Sequence, residues 1–248
     1  MTESAGSRPR RTLIIVENLP VPFDRRVWQE SGALRDAGYE VTVICPTGKG
    51  HDARFEVLDG IHVYRYKLPL EARGVAGYFL EYFVALVLQL WLAAKVYVKR
   101  GFDVIHACNP PDNIFLIALP FKLFGVRFLF DHHDINPELY EAKFGRRDFF
   151  YRVMLFWERC TFRIADASIA TNESYRKIAI ERGGMVPDRV TVVRSGPDLR
   201  RLKRVPAVPK LKNGRQYLVG YVGVMGQQEG IDLLLEAARH IVYDKHRQ

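Results

Sequence analysis

The sequence is poor in cysteine and acid, and it has no glycine-rich dinucleotide fingerprint. Its three cysteines, Cys45, Cys108 and Cys160, lie far apart and form no Cys-x-x-Cys pair. That excludes a disulfide scaffold and a zinc finger or ribbon, and fits reduced thiols in a cytosolic protein. The 28 acidic residues are outnumbered by 37 Lys and Arg, giving a net charge of +9. Such a balance invites an anionic partner: nucleic acid, an acidic membrane leaflet or a phosphate-bearing small molecule. With no RNP-like aromatic strand and no finger spacing, nucleic acid is not expected. A generally basic surface is the plain alternative. Met1–Arg11 is small, polar and basic; without an apolar h-region it reads as a disordered tail, not a signal peptide. Internal repeats and low-complexity arrays are absent.

What is present is ample core material. Hydrophobic residues make up 48% of the 248 positions and charged residues 26%, the balance of a packed globular chain. Leu13–Val16 reads as a buried strand. Asp24 caps a helix running through Trp28 and Leu34 to Gly38, and Val41–Cys45 is a second buried strand. This β-α-β start predicts a parallel sheet in an α/β fold. Phe55–Leu58 and Ile61–Tyr64 flank Asp59-Gly60, the composition of a type I′ hairpin turn. Strands then alternate with helices: 104–106, helix 112–124, 126–130, helix 149–165, 167–170, helix 173–182 and 190–193.

Residues 200–216 are rich in Lys, Arg and Pro and read as a linker. Beyond them, Tyr217–Val222 is expected to be a strand, Gly223–Gly230 a glycine-bearing turn and Ile231–Val242 an amphipathic helix. The expected organisation is a tail over 1–11, a first domain over 12–199, a linker over 200–216, and the start of a second domain over 217–248.

The apolar stretch Tyr78–Val98 contains only Glu81, Gln89 and Lys95 as polar residues. Its longest uncharged run, Tyr82–Ala94, falls short of the roughly 20 residues a membrane span needs. A soluble helix buried on most sides is expected, with contact at a bilayer surface as the first alternative and a true span as the last.

Parallel sheets place ligands at the carboxyl ends of their strands, which directs attention to the loops there. After the first strand, Arg25 and Arg26 stand beside Asp24 at a helix start, suited to a phosphate or carboxylate. His106 is read at a strand end, with Asp112 capping the following helix. Asp131-His132-His133-Asp134 puts four titratable groups in a row, followed by Asn136 and Glu138. That is expensive to bury without a task. A metal site, a sugar site with one group as base, and plain capping by Asp134 or Asn136 are all open. Adjacent strand residues alternate faces, so at most two of the four converge. Thr171 or Asn172 caps a further helix, with Glu173 in its first turn.

In this order, Pro22–Trp28, Asp103–His106, His132–Asp134, Thr171–Ser174, Ser195–Asp198 and Gly223–Gly226 resemble family 4 glycosyltransferases, over roughly residues 12–243. The bacterial surface-polysaccharide enzymes of N-acetylfucosamine type are the most similar subgroup. The resemblance implies a GT-B fold: a Rossmann-like acceptor domain, then a Rossmann-like domain, truncated here, for the donor. It implies retaining transfer from a nucleotide-diphosphate sugar, with no metal and no other cofactor. His133 matches the histidine facing the donor sugar and Asp134 an orienting group; these two are the catalytic candidates. Asp24, Arg25, Arg26, His106, Asp112, His132, Glu138 and Glu173 are acceptor-side candidates. Gly223, Gly226, Gln227 and Gln228 are donor-side candidates. The chain departs from the pattern at Glu229, where relatives often carry a basic residue, and it stops before the paired glutamates expected downstream. The expected partners are a sugar nucleotide, a glycan or lipid-pyrophosphate-linked acceptor, and an anionic membrane surface touched peripherally from the cytoplasm. The alternatives are a noncatalytic carbohydrate-binding remnant, and a metal-dependent hydrolase built on Asp131, His132, His133 and Asp134.

Overall fold

The structure is a computed structural model, and it describes residues 8–68, 74–199, 202–223, 225–226 and 229–244. Two units separate, Met1–Ser195 and Gly196–Gln248.

The first unit is built on an eight-stranded sheet. In chain order the elements are β1 (Arg11–Ile15), α1 (Arg25–Asp36), β2 (Glu40–Pro46), β3 (Phe55–Leu58), β4 (Ile61–Tyr66), α2 (Gly74–Lys99), β5 (Val104–Cys108), α3 (Phe115–Lys122), β6 (Arg127–His132), α4 (Asn136–Phe144), α5 (Phe149–Ile164), β7 (Ala167–Ala170), α6 (Glu173–Glu181) and β8 (Val190–Val192). The sheet order is β3-β4-β2-β1-β5-β6-β7-β8, parallel throughout except for β3. Strand order reverses between β1 and β5, where an open α/β sheet leaves its crevice.

Period-2 alternation sorts the core into two layers. Leu13 and Ile15 face a large cluster that includes residues from α2, α3, α5 and α6. Ile14 and Val16 face a smaller one under α1, with Val43, Val63 and Cys108. The expected hairpin forms with Leu58 opposite Ile61, and Asp59 and Gly60 adopt φ of 49° and 80°, the positive values a type I′ turn requires. Asp24 caps α1 by accepting from Val27 N at 3.1 Å, and Asn172 caps α6 by accepting from Tyr175 N at 3.0 Å.

Several expectations need correction. Asp112 caps nothing: Pro111 takes the capping position of a 3-10 turn over Asp112–Ile114, and α3 follows at Phe115. Helix α4 matches the capping alternative in place but not in its cap. Pro137 occupies its first turn, and Gly145 ends it in a left-handed conformation. Its cap is Ile135, so neither Asp134 nor Asn136 serves as one. Helix α2 is buried on one side only: Ala85, Gln89, Leu92, Ala93 and Val96 face inward, while Leu80, Phe83, Val87 and Trp91 are exposed. A 20-residue stretch of it, Leu80–Lys99, is long and apolar enough to cross a membrane.

In the second unit, α7 (Ile231–Arg239) forms as expected, after Gly230 at φ 61°. Tyr217–Val222 does not form a strand, because no partner among the described residues offers it a hydrogen-bonding edge. None of this unit's described residues is buried.

Candidate active site

Helix α1 packs on β2 and β4, and its first two turns bring Arg26 and Glu30 to Asp131 of β6. The Arg26 guanidinium reaches Asp131 Oδ1 through Nη2 at 3.0 Å and Glu30 Oε1 through Nε at 3.1 Å. Its Nη1 donates to the Val193 carbonyl at 2.9 Å and to Ser195 Oγ at 3.1 Å. One side chain thus ties α1 to the carboxyl ends of β6 and β8. Asp131, fully buried, also faces His133 Nε2 at 2.8 Å and His106 Nε2 at 3.1 Å.

His133 Nε2 also lies 2.8 Å from Arg26 Nε. A single ring nitrogen cannot both accept from Arg26 and donate to Asp131. Because the carboxylate of Asp131 stands at the same 2.8 Å, and is the stronger attractor of a proton, the proton belongs on Nε2, directed at Asp131; Arg26 Nε keeps its ion pair with Glu30. The carboxylate then orients the ring and leaves Nδ1 as the nitrogen for a ligand.

The charges divide sharply. Burial pushes the Asp131 carboxyl up, but hydrogen bonds from His106 and His133 hold it well below the usual carboxylate range. Burial and the charge of Asp131 push Glu30 up to about 7. His106 is raised: burial opposes the proton, and the hydrogen bond and charge of Asp131 outweigh it. A fixed carboxylate beside Glu30, which changes protonation near neutrality, is an arrangement suited to proton transfer. His106 sits in the middle of β5 rather than at its end, opposite Ile14 and Leu129, so it supports Asp131 from below.

Glu30, Cys108, Asp131 and His133 also offer ligand atoms within 4.8 Å of one another. Arg26 already stands among three of them as the cation. Burial and the charge of Asp131 raise the Cys108 thiol well above its usual range, which makes it a poor ligand. An ion would have to displace the guanidinium.

The loop beyond β6 is held by Asn109. Its Oδ1 accepts from the backbone N of His133 at 2.6 Å and of Asp134 at 3.1 Å; its Nδ2 donates to the Asp134 carbonyl at 2.6 Å and to Asp112 Oδ1 at 2.8 Å. Burial raises the Asp134 carboxyl.

On the other face of β6 a second network forms. His132 packs among Phe130, Phe162 and Tyr175. Burial, with the charge of Arg182, pushes it down to about 3. Arg182 Nε meets the fully buried Glu158 at 2.6 Å, and the same guanidinium pairs with Glu138. Burial and the charge of Glu158 push Asp112 up to about 7.

Of the sequence-predicted residues, the structure brings together Arg26, His106 and His133. Asp24 is spent on the cap of α1, and Arg25 is exposed beside it. His132, Glu138 and Asp112 belong to the opposite network. Glu173 is exposed in the first turn of α6, 3.9 Å from Arg176. Gly223 and Gly226 lie in the second unit, in irregular backbone. Gln227 and Gln228 lie outside the described residues. Sequence reasoning missed Glu30, Asn109, Glu158 and Arg182. Glu30 carried a signal, the i,i+4 spacing from Arg26; Arg182 carried none.

An open parallel sheet with this strand order and a titratable cluster at its carboxyl ends is a GT-B-type, Rossmann-like domain. The chain belongs to the glycosyl transferase 4-like domain family, whose model matches residues 24–196. Solved structures that share the fold include two synthases. Sucrose-phosphate synthase from Thermosynechococcus elongatus is 16% identical with a TM-score of 0.61, over 77% of this chain and 49% of that one. The catalytic domain of starch synthase IV from Arabidopsis thaliana, bound to ADP and acarbose, is 12% identical with a TM-score of 0.52, over 78% of this chain and 53% of that one. The chain therefore spans about half the length of these structures. No match is found among curated proteins.

Proposed function

We propose that this chain is the acceptor-side part of a retaining glycosyltransferase that moves a hexosyl or N-acetylhexosaminyl group from a nucleotide-diphosphate sugar to a glycan or lipid-linked acceptor. The observation that carries the reading is the His133–Asp131–Arg26 triad at the carboxyl end of β6. An imidazole oriented by a buried carboxylate can hydrogen-bond a sugar hydroxyl or hold a proton there. Asp134, with its backbone fixed by Asn109, is the second group proposed to face the acceptor. The donor turn at Gly223 and Gly226, with Gln227 and Gln228, belongs to the same proposal, as does a transferase without a metal.

The test is ligand-observed NMR on the purified chain with sugar nucleotides, oligosaccharides and a short-chain lipid-pyrophosphate sugar. Saturation transfer to the acceptor sugars that disappears in His133→Ala is expected. No transfer to any sugar, or a stoichiometric bound metal accompanied by hydrolysis, would overturn it.

A further inference from the structure

At the opposite end of the sheet from Asp131, a cavity of about 490 Å3 opens between the start of β1, the carboxyl end of α2 and the turn before β6. Arg8, Arg11, Lys99 and Arg100 line it, with Asp103 as their only carboxylate. Asp103 is already engaged: its Oδ1 accepts from Arg8 Nη2 at 2.8 Å and its Oδ2 from the backbone N of Arg11 at 2.9 Å. The Arg11 guanidinium donates to the Arg100 carbonyl, covering one carbonyl that the end of α2 leaves unpaired. Gly101, at φ 69°, makes room for it; a Cβ there would stand 2.5 Å from Arg11 Nη1. Arg100 Nε donates to Tyr64 Oη at 3.2 Å. Four cations against one carboxylate leave an excess of three positive charges around the cavity.

The mouth of this basic cavity is apolar. Val98 is 87% exposed, and Leu123 and Phe124 stand exposed beside it, the Phe124 ring 5.9 Å from that of Tyr97. From Val98 the same side of α2 continues through Trp91, Val87, Phe83 and Leu80, all exposed. On a helical wheel these five fall within an arc of about 80°. Lys95 flanks the stripe, its Nζ 5.2 Å from the Trp91 ring centroid. A continuous stripe of large apolar side chains with aromatic and lysine flanks is the composition of an interfacial surface, where apolar groups enter the acyl boundary and cations stay at headgroup level. The helix lies on such a surface rather than crossing it. Its inner side supplies Ala85, Leu92, Ala93 and Val96 to the core, and Gln89 Nε2 donates to the buried Tyr66 hydroxyl at 2.6 Å.

We propose that the Arg8–Arg11–Lys99–Arg100 cavity binds the phosphate of an anionic phospholipid headgroup, seating the outer stripe of α2 at the edge of the bilayer. The proposal is independent of glycosyl transfer.

The experiment is co-sedimentation of the full chain with vesicles of phosphatidylcholine alone or mixed with phosphatidylglycerol, at low and high salt. Binding to the mixed vesicles, weakened by salt, with a blue shift of tryptophan emission that Trp91→Tyr removes, is expected. Arg8→Glu with Lys99→Glu should cut binding at least about tenfold. Val98→Ser with Phe124→Ser should also weaken it. The same reversal of charge at Lys177 and Arg194, outside the cavity, should leave binding close to that of the unaltered chain. Thermal unfolding verifies that each variant folds. Absence of binding to mixed vesicles, or an equal loss with the Lys177 and Arg194 reversals, would overturn the proposal. So would displacement by inorganic phosphate with no effect of the Val98 and Phe124 substitutions, which would make a free anion the ligand.

Discussion

Arg26 and Asp131, 105 residues apart in sequence, meet at 3.0 Å with Asp131 fully buried. Removing only the cation leaves a buried carboxylate held by His106 and His133, with a weak contact from the Cys108 thiol. Breaking a buried pair costs about 3–5 kcal/mol, and the two histidines place Arg26→Ala near the lower end. Arg26→Ala with Asp131→Asn should recover part of the loss. Urea unfolding of the single and double variants measures this; equal stability of the two would show that the charge of Asp131 is not what Arg26 compensates.

Asp112 makes stability depend on pH in the opposite direction from an ordinary surface carboxylate. Its folded value is about 7, against an unfolded value near 4. The buried neutral acid therefore contributes stability that is complete below about pH 4 and is lost as pH rises through about 7. The slope is on the order of 1 kcal/mol per pH unit across that window. Asp112→Asn keeps an acceptor for Asn109 and does not ionise. Its stability relative to the unaltered chain should increase from about pH 4 to about pH 7 and then level off, as read from urea midpoints. A difference that does not change with pH would contradict the assignment.

Asn109 fixes the backbone of the two residues proposed to face the sugars. Asn109→Ala removes its four side-chain hydrogen bonds and should cost about 2–3 kcal/mol. Amide exchange at His133 and Asp134 should accelerate beyond the change in global stability. Unchanged exchange at those two amides would show that the loop holds its shape without Asn109.

Arg182 joins α6 to α4 and α5 through Glu138 and the fully buried Glu158. Arg182→Met should lower stability by about 3 kcal/mol or more, since Glu158 loses its cation. Arg182→Lys should recover little of it, because an ammonium cannot reproduce a planar fork that serves two carboxylates. Full recovery by lysine would mean that only net charge matters there. Thermal melts of the two variants decide between these outcomes.

Local chemistry was the legible part of this fold. Asp59-Gly60 specifies its turn because both positions need positive φ, and Asp24 and Asn172 cap helices because a short side-chain oxygen reaches the free N–H groups of the first turn. Alternation of faces also forecast that at most two of the four titratable residues Asp131–Asp134, which run across the end of β6, could converge, and Asp131 and His133 are those two. Long-range pairings were hidden: nothing near Arg182 in sequence points to Glu158, and His106 reads as a strand end until the register with β1 and β6 shows it mid-sheet. For helix α4 the start was one of the open readings, but the cap was misplaced, because Pro137 sets the first turn and leaves Ile135, with no side-chain oxygen, in the capping position. Tyr217–Val222 shows the limit of propensity: apolar β-formers make a strand only where another strand receives them.

The alternation of β6 has a consequence for how this protein can vary. Phe128, Phe130 and His132 belong to an aromatic chamber; Leu129 and Asp131, with His133 one residue past the strand, look across the sheet toward α1. The strand is a partition read in odd and even positions, and the two sides accept different replacements. An even position tolerates a change of shape poorly and a loss of polarity well; at Asp131 and His133 the reverse holds. Deleting a single residue within the strand would carry Asp131 into the aromatic chamber and His132 toward Arg26, exchanging the two environments at one stroke.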